Sequence, residues 1–258
     1  MGLVMKKQVR RNIFNTIKKM NQKTTVVLCS ASPRRKQLLK EIGLDIEILV
    51  KDVDETFPSD LKAEEVVLFL AAKKADVFRP GFEPGKIYIT ADTIVWLNGF
   101  SPDFSTVKKK EMGEVLGKPV DADDAFKILE KLSGKMHQVY TGVCLSSMNR
   151  KESFYVRSDV HFRELKDEKI KFYIEHYKPF DKAGAYGAQE CLPENMNPCS
   201  EEEIKFMKSI HKNDLFERTK MKDKKHMPII DRINGSYFNV MGLPVVEVWE
   251  HLNRFIIE

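Results

Sequence analysis

The spacing of apolar positions changes period along the chain, and the changes mark out alternating strands and helices. Residues 24–29 (Thr-Thr-Val-Val-Leu-Cys) form a short β-branched run, which predicts a buried strand. In the stretch that follows, Ser32 suits an N-cap and Pro33 the first helical position. Leu38, Leu39 and Ile42 then recur on one helical face, and Gly43 is placed to end it. Residues 45–50 alternate and predict a second strand. Over 62–78, Val66, Val67, Phe69, Leu70, Ala75 and Phe78 predict an amphipathic helix that stops before Pro80-Gly81. Residues 86–90 predict a strand that meets Ala91-Asp92-Thr93 and resumes over 94–97, so Asp92 is expected at a strand break or a sheet edge. A helix over 121–132, an antiparallel pair over 139–145 and 153–162, and a helix over 167–178 follow. A last strand over 243–248 is expected before a short C-terminal helix. Strands alternating with helices argue an α/β fold. Two segments, 98–115 and 191–228, break the rhythm with Gly, Pro and dense charge. Both read as surface insertions, although 200–211 has helix-forming character.

Charge changes this picture at one end. The net charge is +5, but residues 1–23 carry seven of the cations and no acid, so the rest of the chain is slightly acidic. That balance argues against a protein that coats nucleic acid. The basic stretch is weakly amphipathic through Val9, Ile13, Phe14 and Ile17. It resembles an organellar targeting segment, mitochondrial by type, apart from its shortage of serine; an ordinary basic extension is the other reading. No run of eighteen apolar residues exists, so no membrane span is expected. Four irregularly spaced cysteines make no disulfide framework, and a reducing cytoplasm is the default location.

Candidate chemistry gathers after the strands. Arg34, Arg35 and Lys36 stand in the first turn of the helix that starts at Pro33. Cations are unfavourable there by about 0.3–1 kcal/mol each, so the turn reads either as an anion site at the positive end of the helix dipole or as a solvated basic turn. Free backbone N–H groups, a serine hydroxyl and guanidinium forks together suit a phosphate. Asp92 and the pair Asp54-Glu55 also follow strands, and carboxylates near such cations suit a metal-assisted phosphate reaction. Lys74, Lys118 and Lys182 stand beside small residues, where a lysine can approach a ligand closely. His137 and His161 fall in strand-like runs, and spacing defines no nucleophilic triad.

Several stretches together resemble the Maf family of nucleoside triphosphate pyrophosphatases. They are Ser30-Ala-Ser-Pro-Arg-Arg35, Val53-Asp-Glu55, Ala91-Asp-Thr-Ile-Val95, Leu116-Gly-Lys-Pro119, Leu132-Ser-Gly-Lys-Met-His-Gln-Val-Tyr-Thr141, Asp181-Lys-Ala-Gly-Ala-Tyr-Gly-Ala-Gln189 and Ile233-Asn-Gly-Ser-Tyr-Phe-Asn-Val-Met-Gly-Leu-Pro244. They occur in the family's order over 25–190 and 229–250, leaving a Maf-like domain over 24–258 after a basic extension over 1–23. The resemblance implies a central mixed β-sheet flanked by helices, elongated and akin to inosine triphosphate pyrophosphatases, in a protein that is often a homodimer. It implies hydrolysis of a nucleoside triphosphate to the monophosphate and pyrophosphate with a divalent cation, Mg²⁺ or Mn²⁺. By resemblance Asp92 is the proton acceptor and, with Glu55, a metal ligand, although sequence alone does not choose between Asp54 and Glu55. Ser30, Arg35, Lys74, Lys118 and Lys182 match triphosphate-binding positions. Arg34, Thr93 and Gln189 match positions tied to base preference, in the combination of the branch that acts on dTTP and UTP. A non-catalytic nucleotide-binding regulator of cell division is the alternative, and the retained Asp92, Glu55 and lysines favour the enzyme. The 191–228 segment follows Gln189 directly, where it could cap the base pocket or mediate assembly.

Overall fold

A computed structural model describes residues 13, 16–98, 113–193, 196–212 and 228–257. Seven strands form one sheet: β1 (Thr25–Leu28), β2 (Ile46–Ile48), β3 (Lys86–Leu97), β4 (Glu114–Leu116), β5 (Met136–Ser146), β6 (Lys151–Phe162) and β7 (Ile230–Asn234). The spatial order is β2-β1-β3-β5-β6-β7, with β4 also against β3. β1 runs parallel to β2 and β3, and the other pairings are antiparallel, so the sheet is mixed.

The long strand β3 organises the molecule. Its first part pairs with β1 (Thr25–Leu28 beside Lys86–Ile89) and its last part with β4 (Val95–Leu97 beside Leu116–Glu114). Among the described residues no strand pairs with 90–94 on that side, while β5 continues unbroken on the other. Asp92 therefore lies in a continuous strand, not at a break; the expected edge is a gap between two neighbours of an interior strand.

Helices cover both faces. Helix α1 (16–23) precedes the sheet, followed by α2 (Pro33–Glu41), α3 (Ala63–Phe78), α4 (Ala122–Leu132), α5 (Asp167–Tyr177), α6 (Ala188–Cys191), α7 (Glu201–Ser209), α8 (Tyr237–Val240) and α9 (Val245–Ile257). One face carries α3, whose Val66, Val67 and Leu70 pack with Ile94 and Tyr140. Ala71 and Ala75 meet Cys144 there. The other face carries the large core, where Leu38 and Leu39 of α2, Leu129 of α4, Ile170 of α5 and Leu252 of α9 join Ile87, Ile89, Ala91 and Val95 of β3.

Four expectations change. Residues 243–248 are not a strand: the helix begins at Val245, with the Val248 amide donating to the Pro244 carbonyl at 2.9 Å. Val245, Val248, Trp249, Leu252 and Phe255 are buried at helical spacing, a stripe that a short apolar window cannot tell from a buried strand. β7 and β4 fall at the ends of segments read as irregular; each is a short edge strand, with too few residues to show a period. The segment expected on the surface after Cys191 contributes α7, whose Phe206 and Met207 are buried in the large core. Residues 99–112, 194–195 and 213–227 of the two expected insertions, and Val9 and Phe14 of the basic stretch, lie outside the described residues. Finally, part of the basic stretch folds onto the body. Ile17 and Met20 of α1 are buried, and the Asn21 amide donates to the Gly43 carbonyl at 2.9 Å.

Candidate active site

A pocket of about 630 Å³ opens where β3 lacks a neighbour. That volume lies within the range of nucleotide-sized ligand sites. Its floor is Ala91–Val95 of β3, and its rim includes the β1–α2 turn, the loop over 50–57, Lys118 and the stretch over 181–189. Six cationic side chains line it against four carboxylates, which favours an anion.

The β1–α2 turn has the predicted chemistry. Ser32 is the N-cap, Pro33 is the first helical residue and no acid occupies the first turn. The Ser32 amide donates to the Ser30 hydroxyl at 3.2 Å, which holds Ser30 at the helix start. The two arginines diverge. Arg34 is half-buried and meets Asp181 at 3.5 Å. Arg35 runs under the floor: its Nε donates to the Gly242 carbonyl at 2.9 Å, and its terminal nitrogens donate to the Ala91 carbonyl at 2.7 Å and the Thr93 hydroxyl at 3.0 Å. A longer contact at 3.4 Å reaches the Ser30 hydroxyl. Burial pulls the Arg35 pKa down, opposed by the charge of Asp92.

On the opposite face, Asp92 is buried and meets Lys74 of α3 at 2.5 Å; the same ammonium meets Glu55 at 2.7 Å. The helix can stand this close because Gly142 lies directly across from Asp92. A Cβ on Gly142 would sit 2.3 Å from the Val67 carbonyl oxygen. The Thr90 hydroxyl also donates to the Ala71 carbonyl at 2.7 Å, pinning α3 to β3. Lys118 reaches Glu55 at 3.5 Å from the open side. Burial pushes the Glu55 carboxyl up, but the hydrogen bond and charge of Lys74, helped by Lys118, leave it below its usual range.

Asp54 points elsewhere. It accepts from Lys73 at 2.8 Å and from the Thr56 amide at 3.0 Å, contacts that hold it down at about pKa 2. It does not line the pocket, whereas Glu55 does. Lys182 is largely buried, 2.8 Å from Asp181 and 3.9 Å from Glu190. Gln189 is half-buried on the pocket wall, and its side chain makes no hydrogen bond to a described residue. Thus Ser30, Arg34, Arg35, Glu55, Lys74, Asp92, Thr93, Lys118, Lys182 and Gln189 all line one pocket.

The lining is supported by groups to which the sequence assigns no role of their own. The Thr93 hydroxyl contacts that of Thr141 at 2.9 Å, and Thr141 donates to the Asn239 carbonyl at 3.2 Å. Asn239 is buried and donates to the Val139 carbonyl and the Ser158 hydroxyl, both at 3.0 Å. His137 is buried behind Tyr186, a lining residue, with Nε2 2.8 Å from its hydroxyl. Burial, with a smaller effect from His161, pushes the His137 pKa down to about 3, so the ring is neutral.

The matched pattern extends beyond the pocket. Residues 25–199 match the Maf-like protein family, and the chain belongs to it. Among its curated relatives, the dTTP/UTP pyrophosphatase of Phocaeicola vulgatus is 40% identical over 234 residues, covering 90% of this chain and 97% of that protein. The dTTP/UTP pyrophosphatase of Bacteroides thetaiotaomicron is 36% identical over 90% of this chain and 96% of its own. That of Flavobacterium johnsoniae is 35% identical over 93% of this chain and the whole of its own. No helix among the described residues is long and apolar enough to cross a membrane.

Proposed function

We propose that the protein hydrolyses dTTP and UTP to the monophosphate and pyrophosphate, as its relatives' names describe. The observation that carries this reading is the meeting of Asp92 and Glu55 on one ammonium beside a helix N-terminus, in a cation-rich pocket of nucleotide size. The α2 N-terminus, Lys118 and Lys182 bind the phosphates, and Ser30 contributes its hydroxyl. Lys74 neutralises charge next to Asp92. Water attacks phosphorus on one side of the α,β anhydride bridge, Asp92 accepts the water proton, and the bridging P–O bond breaks to release pyrophosphate. Thr93 and Gln189 face the base.

The donor set suits a divalent cation of the Mg²⁺ or Mn²⁺ type. No group of three His, Cys, Asp or Glu capable of holding a metal exists among the described residues. A pair of carboxylates with the remaining positions left to phosphate oxygens and water is the usual protein share for Mg²⁺. Glu55 and Asp92 would hold it, and it would add positive charge to the phosphates and acidity to the attacking water.

The test is pyrophosphate release from a panel of nucleoside triphosphates with Mg²⁺ or Mn²⁺. The reading expects release from dTTP and UTP above the purine nucleotides. Release only from other bases overturns the substrate, and binding without release in folded protein overturns the enzyme.

A further inference from the structure

Helix α7 begins after residue 199, where the family match ends, and it sends one carboxylate inward. Glu203 is 1% exposed. Its Oε1 accepts from the Ser236 hydroxyl at 2.6 Å and the Phe238 amide at 2.9 Å. Its Oε2 accepts from the Tyr237 amide at 3.1 Å and the Ser200 amide at 2.8 Å. A buried carboxylate is costly unless its lone pairs are met, and here four donors meet them. One comes from its own helix and three from the turn over 236–238, so Glu203 ties that turn to α7.

The turn leads directly to the pocket. Ser236 also accepts from the Asn239 amide at 2.9 Å, which fixes Asn239. The Asn239 carbonyl receives Thr141, whose hydroxyl contacts Thr93. Three residues on, Gly242 has φ +107°, a conformation that favours glycine, and this turns its carbonyl onto Arg35 Nε. Val240, Met241 and Gly242 themselves line the pocket. We infer that Glu203 is a positioning residue for the nucleotide site: through the 236–242 turn it sets the Asn239 and Gly242 carbonyls that hold Thr93 and Arg35 in register. The inference rests on the nucleotide reading of this pocket. It assigns α7 a task behind the base-facing wall rather than as a lid over it.

The test compares Glu203→Gln with Met207→Ala, which opens a cavity on the same helix but removes no hydrogen bond to the turn. Gln keeps the size of Glu but turns an amide toward N–H donors. Each variant is assayed well below its melting temperature, by kinetics and by calorimetric binding of a non-hydrolysable UTP analogue. Glu203→Gln is expected to weaken binding and raise KM by about tenfold with kcat within about twofold. Met207→Ala is expected to lower the melting temperature while leaving both unchanged. Ser236→Ala, which removes one donor to Glu203 and the cap on Asn239, should reproduce the KM effect and serves if Glu203→Gln does not fold. Equal effects from Glu203→Gln and Met207→Ala, or an unchanged affinity in Glu203→Gln, overturn the inference. If wild type binds the analogue but releases no pyrophosphate, the hydrolysis reading fails alone, because the affinity ratio still tests Glu203.

Discussion

Asp92 and Thr93 are consecutive in β3 and point to opposite faces of the sheet, and their surroundings differ in kind. On the Asp92 face the partners are long charged side chains, Lys74, Glu55 and Lys118, with Glu55 and Lys118 each at least half exposed. The Glu55–Lys118 pair is weak and rearranges readily, whereas Lys74 and Asp92 are each little exposed. On the Thr93 face the partners are main-chain carbonyls of Ala91, Asn239 and Gly242, gripped by Arg35 and two threonines. Those acceptors are fixed by the fold. One strand thus separates a charged side, which the proposed hydrolysis makes the reactive one, from a template side built on hydrogen bonds to the main chain.

If that division is right, the two faces fail differently when cut. Asp92→Asn should lower kcat by about 10²–10⁴, the usual contribution of a positioned general base, in a protein that stays folded because Lys74 keeps Glu55 as a partner. Near-normal pyrophosphate release from this variant would sink the assignment of Asp92. Arg35→Lys should do the reverse. A lysine cannot present the guanidinium fork, so the Ala91 and Gly242 carbonyls lose their donors, and the protein should lose about 3 kcal/mol of stability by denaturant titration. The neighbouring Arg34→Lys, at a half-exposed ion pair, should cost under about 1 kcal/mol. Equal losses from the two arginine variants would erase the distinction between them.

Acid sharpens the contrast further. His137, behind Tyr186, is neutral in the folded protein with its pKa at about 3, whereas an unfolded histidine titrates near its ordinary 6.5. Below pH 6.5 the unfolded chain binds the extra proton, so stability is full above that value and falls as pH drops toward 3. By pH 5 the loss should be about 2 kcal/mol. His137→Gln removes the titration and keeps a polar partner for Tyr186, so its stability should fall less between pH 7 and pH 5 by about that amount. Identical slopes for the variant and the wild type would mean that His137 is not held neutral.

The two faces were also unequally legible in the sequence. The charged side is legible as short local patterns, a strand end before Asp54-Glu55 and an acid within an apolar run at Asp92. The template side is only partly so: Arg35 and Thr93 stand in stretches that carry the family resemblance, whereas Thr141, Asn239 and Gly242 come from distant parts of the chain and take no role from local pattern. Gly142 carried no local signal either; its need for a bare Cα arises only when α3 crosses β5. The error over 243–248 has the same origin, since a run of valines fits strand and helix until a partner surface selects the period. Glu203 looked like one acid among three at a helix start, and only the return of residues 236–238 gives it a role.

Gln189 is the exception that tests how far the template extends. It lies on the pocket wall, yet its amide has no described partner to fix which end is oxygen and which nitrogen. The chain is held just before it, where the Tyr173 hydroxyl accepts from the Gly187 amide at 3.0 Å and donates to Glu190 at 3.1 Å. The backbone is therefore set while the side chain is free to turn over. A fixed amide would distinguish uracil from cytosine strongly, since the donor and acceptor on the base edge exchange places. A free amide can flip to suit either. Gln189→Ala should then lower kcat/KM for UTP by about tenfold, the worth of one neutral hydrogen bond, but change the UTP to CTP ratio by less than about fivefold. Measured kcat/KM values for both nucleotides decide the matter. A collapse of the ratio by about 100-fold or more, in a variant with unchanged stability, would show that a fixed partner orients Gln189 once the base is bound, and would move it from the adaptable part of the pocket to the template.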